Sequence, residues 1–454
     1  MADFSSCSCR EGMEEAYLLL SKLVFSRDER PDSPFPLLGA FLDALNCGEL
    51  LGACRSYHAL TAALLSAPSR RVSGDLWLDY LLWLAVEAEH PFAASAAQKR
   101  RDDDVFAAMR AELSTLYALT KLNDAALRRF AQERYRELKL KPRTARDSAE
   151  LISTALWSGN AAKPQPPKEE KPVIPPAAVF QMDFDWAIWR YGEMRLSEQY
   201  VSDEALEEIY VRLLSGKPWP SLIDDLWNFF ASYGCGGFLK HRAFQYERGG
   251  LFPLDESALA PLPAVSLYER ERSELLENTI RFMQGARSRN IAITGAVGTG
   301  KTTQALSLAY ELPEVRLIAV DASSCMSLTP LFERLRAQPL RFLVLLDGMD
   351  FSSPCAASLM NSLLALRAQP ENVLLYATAL RAAGGESAFP VEVELTYPPL
   401  KEFVELVTEI LEQDNVRAPY ETVRNACIDY QVDAHDRLTC AGALRVAEAV
   451  KREL

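Results

Sequence analysis

The sequence has no Cys-x-x-Cys pair and only four histidines, none grouped with cysteine at zinc-ligand spacing. A structural zinc site therefore cannot organise the fold. The nine cysteines are odd in number and scattered from Cys7 to Cys440, a usage that fits a reducing, cytoplasmic setting. Cys7 and Cys9 read as plain thiols. Long apolar runs are missing too. Leu81–Val86 falls far short of the roughly 20 residues a membrane helix needs. The N-terminus offers acidic Asp3 rather than a basic segment followed by an apolar run, so no secretory leader is expected. A basic excess is also absent. The net charge of −13 argues against a chain-wide footprint for nucleic acid or anionic membrane. No repeat of fixed period occurs, which argues against a solenoid.

What is present describes an ordinary globular protein, 49% hydrophobic and 24% charged, with length for about three domains. Residues 1–160 carry apolar residues at three- and four-residue spacing, which predicts helices near 14–25, 37–45, 50–65, 76–86, 105–119 and 125–138. A helical N-terminal domain that docks a protein partner is the expectation. The Arg/Lys run from Arg128 to Arg146 is interleaved with Glu133, Glu137 and Asp147, as on a solvated helix face. Residues 161–177 hold six prolines among lysines and glutamates and read as an extended spacer. Residues 178–265 form an aromatic-rich, mostly helical unit, with Phe184, Trp186, Trp189, Trp219, Trp227, Phe229 and Phe230 as its core. From residue 266 to 399 the pattern becomes strand–helix–strand, that of a parallel sheet with helices on both faces. Residues 400–454 return to helix.

One stretch carries chemistry. Asn290 to Thr303 reads as an apolar strand, a glycine-rich turn and a helix start. Gly295, Gly300, Lys301 and Thr302 fit G-x-x-x-x-G-K-[ST], the P-loop. The backbone from Gly295 through Ala296, Val297, Gly298, Thr299, Gly300 and Lys301 to Thr302 and Thr303 would turn its N–H groups onto phosphate oxygens. Lys301 would reach the β- and γ-phosphates, and Thr302 would ligate Mg²⁺. Downstream, the apolar strand Arg341–Asp347 ends in a carboxylate, as a Walker B strand does. Asp347 is thus a second ligand for Mg²⁺. ATP or ADP with Mg²⁺ is the expected cofactor.

Beyond the P-loop, the sequence resembles the AAA+ division of P-loop proteins. It is most similar to the bacterial family filed as domain of unknown function 815. The residues that carry this are Tyr233-Gly-Cys-Gly with Arg242-Ala-Phe, Tyr268-Glu-Arg, Asn278-Thr, Phe282-x-x-Gly285, Arg341–Asp347, Pro370–Thr378 and Tyr397-Pro-Pro. The likeness covers roughly 220–454. It implies an αβα parallel sheet with a small helical lid, nucleotide binding, and assembly as a homo-oligomer or a mixed AAA+ ring.

Four departures from the family pattern bear on catalysis. Gly348 stands where the family has a second acid, leaving Asp350 as a nearby substitute. Leu380 replaces the asparagine resembling a water-positioning sensor, leaving Thr378 as the local polar group. The segment Gly384–Pro390 has no counterpart of the family's finger arginine. The lid helix reads Ala441-Gly-Ala-Leu-Arg445, in which Arg445 resembles a sensor-2 arginine. Slow or partner-dependent hydrolysis in a nucleotide-controlled switch or scaffold is the expectation. The alternative is an active ATPase remodelling a protein partner; nucleic acid is disfavoured.

Overall fold

A computed structural model describes residues 4, 8–27, 30–140, 186–191, 203–254, 267–322, 327–365, 369–381, 387–435 and 437–453. The spacer at 161–177, Phe184, Arg143, Arg146 and Gly384 to Glu386 lie outside the described residues. The chain divides into two compact units. One is drawn from residues 1–92, 102–197 and 206–226, the other from 93–101, 198–205 and 227–454.

The first unit is helical. Its elements are α1 (Cys9–Ser21), α2 (Pro34–Cys47), α3 (Leu50–Ser66), α4 (Leu76–Val86), α6 (Asp103–Leu119) and α7 (Asp124–Leu140). A short α5 (Pro91–Ala97), unforeseen in the sequence and divided between the two units after Phe92, starts at a proline as helices often do. The starts are chemically marked. Ser8 and Glu11 form a capping box on α1, while Asp75 and Asp102 accept first-turn N–H groups of α4 and α6. Gly48 ends α2 in the left-handed conformation. α4 is buried nearly all round, which explains its unbroken apolar run.

The aromatic unit expected over 178–265 is not a separate body. Trp186 and Trp189 pack on Tyr57 of α3, with ring centroids 4.8 and 5.6 Å away. Trp189 Nε1 donates to Thr61 Oγ1 at 2.9 Å and Tyr57 Oη donates to the Ala187 carbonyl at 2.6 Å. Main-chain bonds from Leu76 N to Trp189 O and from Tyr191 N to Gly74 O fix the segment's register. Burying two indoles outweighs local helical spacing, because each contributes far more apolar area than a helix face of small residues. α8 (Asp203–Leu214) follows, and the division between units falls inside α9 (Ile223–Tyr233).

The second unit is built on a seven-stranded sheet in the order β2-β1-β4-β5-β6-β3-β7. The strands are β1 (Ala243–Glu247), β2 (Gly250–Pro253), β3 (Ile291–Gly295), β4 (Arg316–Asp321), β5 (Phe342–Met349), β6 (Val373–Ala379) and β7 (Val391–Leu395). All pairs are parallel except the β1–β2 hairpin. That hairpin lies in the 178–265 stretch expected to be mostly helical. β1 joins the sheet instead, because its Phe244 and Tyr246 complete one face of the core. α10 (Glu269–Met283) and α11 (Lys301–Glu311) cover one face through Leu275, Phe282, Ala305 and Leu308. α12 (Thr329–Arg336) and α13 (Pro354–Ala365) cover the other through Leu331, Phe332, Leu335 and Ala356. Sheets covered on both faces need continuously apolar strands, and β5 and β6 supply them. A separate core joins α14 (Leu400–Gln413), α15 (Tyr420–Asp433) and α16 (Cys440–Glu453) as the lid.

Cys9, Cys47, Cys54, Cys235, Cys427 and Cys440 are free thiols, and Cys355 is disulfide-bonded. Among the described residues no helix is long and apolar enough to cross a membrane.

Candidate nucleotide site

The site lies where β3 meets α11. β3 lies one strand in from the edge of the sheet, between β6 and the edge strand β7. The crevice at the carboxyl ends of such strands is where open α/β sheets bind ligands. Gly295, with φ of 140°, has no room for a side chain: a Cβ there would stand 2.1 Å from the Leu395 carbonyl oxygen. Gly298 and Gly300 are also left-handed, at φ of 86° and 93°. These turns bend the loop from Ala296 to Gly300 back onto the first turn of α11.

The hydrogen bonds of this loop are one-sided. The Gly295 and Ala296 carbonyls accept from Lys301 Nζ at 2.9 and 2.7 Å, and Ala296 O also accepts from Thr299 Oγ1 at 3.0 Å. Val297 O accepts from Tyr397 Oη at 3.0 Å. Gly298 O accepts from Cys440 N at 3.2 Å, and Thr299 O from Cys440 Sγ at 3.6 Å. Five successive carbonyls are thus taken. Among the described residues, no hydrogen bond uses the N–H groups of residues 296–303. A run of unspent donors at a helix N-terminus is an anion-binding surface.

Lys301 and Thr302 are half-buried, and Val297 and Thr303 are exposed. Burial pushes the Lys301 ammonium below its usual range, while the Asp347 carboxylate pulls the other way. Thr302 Oγ1 donates to Asp347 Oδ1 at 2.7 Å, so the P-loop hydroxyl and the β5 carboxylate meet. Thr378 Oγ1 on β6 donates to the same oxygen at 2.6 Å and accepts from Gly348 N at 2.9 Å. Thr302 and Asp347 offer the hard oxygen donors that Mg²⁺ prefers. Among the described residues no group of three or more His, Cys, Asp or Glu converges into a metal cage. The residues therefore fit a cation that arrives with phosphate ligands and keeps water, the usual habit of Mg²⁺.

The remaining candidates lie outside this cluster. Asp350 is exposed and accepts from Ser352 Oγ and N at 2.6 and 3.0 Å, which holds its carboxyl below the usual range. Arg445 is exposed on α16, and no hydrogen bond joins it to the loop. Gly348 has φ of 74° beside a register shift between β5 and β6, so the backbone here favours glycine. Leu380 is 61% exposed at the end of β6. The sequence reading missed Cys440, which carries no motif signal. Tyr397 stood in the Tyr-Pro-Pro motif without a role assigned to it.

Strand order and P-loop together describe an αβα parallel sheet with a phosphate-loop motif at the carboxyl end of β3, an architecture that suits nucleotide binding. Residues 239–383 match the family model described as Protein of unknown function (DUF815), so the resemblance read from the motifs holds over that stretch. A comparison with curated proteins found no match. Among solved structures, a point variant of Thermotoga maritima RuvB is 17% identical, covering 42% of this chain and 73% of that one at a TM-score of 0.31. The T. maritima RuvB Holliday junction branch migration motor gives 16% identity, the same coverage and 0.29. C. elegans PCH-2 gives 14% identity, coverage of 41% and 70%, and 0.29. The fold assignment stands on the strand order.

Proposed function

We propose that this chain binds Mg·ATP and Mg·ADP through residues 295–303 with Asp347, and acts as a nucleotide-controlled switch or scaffold on a protein partner. The observation that carries this is the polarity of the loop, with carbonyls 295–299 occupied and N–H groups 296–303 unspent. Phosphate oxygens match those donors, and Lys301 would exchange loop carbonyls for the β- and γ-phosphates. The helical N-terminal unit is the partner-facing part in this reading, and assembly with like or related chains belongs to it.

Weak or partner-dependent hydrolysis follows from what the site holds. An attacking water needs an orienting base. Gly348 offers none, Leu380 is apolar, and Asp350 is engaged by Ser352. Thr378 is occupied with Asp347 and Gly348. The second reading, active hydrolysis completed by a neighbouring subunit, is favoured by Arg445 standing exposed on the lid. Phosphate release by wild type and Lys301→Ala, measured across protein concentrations, separates the two. Turnover below about 1 per minute at every concentration supports the switch. Faster, concentration-dependent turnover that Lys301→Ala abolishes supports the ATPase.

A further inference from the structure

Three successive loop carbonyls are gripped from elements outside the P-loop. Tyr397, between β7 and α14, holds Val297 O through its hydroxyl at 3.0 Å. Cys440, the first residue of α16, holds Gly298 O through its N–H at 3.2 Å and Thr299 O through its thiol at 3.6 Å. Thr439 packs so close that a Cβ on Gly298 would lie 2.9 Å from its Cγ2. Thr439 itself is fixed, because its Oγ1 accepts from Gly442 N at 2.9 Å and its carbonyl from Ala443 N at 2.9 Å. It is the N-cap of α16.

A trans peptide is planar, and its C=O and N–H point in opposite directions. The carbonyl of Val297 shares a plane with the N–H of Gly298, that of Gly298 with Thr299, and that of Thr299 with Gly300. Holding those three oxygens on the lid side therefore aims three N–H groups at the space where phosphate would sit. Glycine at 298 and 300 leaves the planes free to rotate, so something must fix them.

We propose that Tyr397 and Cys440 are positioning residues forming a latch, by which the lid presets the phosphate-binding amides and phosphate binding in turn tightens the lid. The reciprocity is thermodynamic: whatever the lid contributes to nucleotide affinity, the nucleotide contributes to lid docking. This rests on the nucleotide-binding reading and adds a regulation to it. A partner that pulled α16 away would loosen the amides and release nucleotide.

The test uses a helix-start substitution. Cys440 occupies the first position of α16, where proline is well tolerated. Cys440→Pro removes the N–H and the thiol together, Cys440→Ser keeps a donor at both places, and Tyr397→Phe removes one hydroxyl. Calorimetric titration with Mg·ATP should show affinity lowered at least fivefold by Tyr397→Phe, which loses one hydrogen bond, and more by Cys440→Pro, which loses two. Cys440→Ser should stay within about twofold. Amide exchange in 420–450 should slow with Mg·ATP in wild type and lose most of that slowing in Cys440→Pro. Wild type that binds no nucleotide overturns the functional reading. Wild type that binds while Cys440→Pro and Tyr397→Phe match it in affinity and lid protection overturns the latch alone. Should Cys440→Pro fail to fold, Tyr397→Phe decides by the same two readouts.

Discussion

The two units spend their polar groups differently. In the helical unit, buried carboxylates are consumed by the protein. Glu112 is 1% exposed and accepts from the amides of Val24, Phe25 and Ser26 at 2.6, 3.4 and 2.9 Å. Asp79 accepts from Val72 N, Ser73 N and the Tyr191 hydroxyl. In the nucleotide unit, five loop carbonyls are occupied while the adjoining amides are not. Buried polar groups are normally paired, so a satisfied carboxylate speaks of architecture and a row of unspent donors speaks of a ligand.

The sharpest way to break this comparison is Gly295→Ala. Its Cβ would collide with the Leu395 carbonyl, which cannot move without disturbing the β3–β7 ladder. We expect the nucleotide unit to lose roughly 2–4 kcal/mol and nucleotide affinity with it. Differential scanning calorimetry should show the transition of the helical unit unmoved. A shift of both transitions together would show that the units do not unfold separately.

Acid should act mainly on the helical unit. His90 is deeply buried there and its pKa is lowered to about 4 by that burial. The unfolded chain takes up the proton near pH 6.5 and the folded one only near 4, so stability is full above 6.5 and falls between 6.5 and 4. The slope is about 1.4 kcal/mol per pH unit. His90→Phe should flatten that slope in urea titrations read across this range. An unchanged slope would mean another group carries the acid sensitivity.

A further effect is expected at the residues proposed to hold Mg²⁺. Asp347→Asn should weaken Mg·ATP binding about tenfold or more while leaving Mg-free ATP nearly unaffected. Equal loss with and without Mg²⁺ would assign Asp347 a purely structural part through Thr302 and Thr378. Thr61→Val leaves the buried Trp189 indole N–H without its acceptor and should cost the helical unit about 1–3 kcal/mol. Mg·ATP affinity should not move. A change there would mean that the two units are coupled.

Much of this was legible because local signals govern it. The strands at 291–295 and 342–349 are apolar runs buried within the sheet, and the sequence pattern placed both within a few residues. The P-loop is contiguous, so its residue types and backbone turns coincide. What was not legible depends on distant parts of the chain. The β1–β2 hairpin is short, and only its pairing with β4 makes Ala243–Glu247 a strand. Trp186 and Trp189 take their place from Tyr57 and Thr61, more than a hundred residues earlier. Cys440 acts partly through its main chain, which no side-chain pattern reveals. Gly348 announced the missing acid in sequence, while its positive φ emerged only with the β5–β6 register shift.

Titration calorimetry of the full chain with Mg·ATP, run beside Lys301→Ala, tests the central claim most directly. The donor-rich loop predicts saturable heat for wild type and none for the variant. A well-folded wild type giving no heat with either Mg·ATP or Mg·ADP would contradict it.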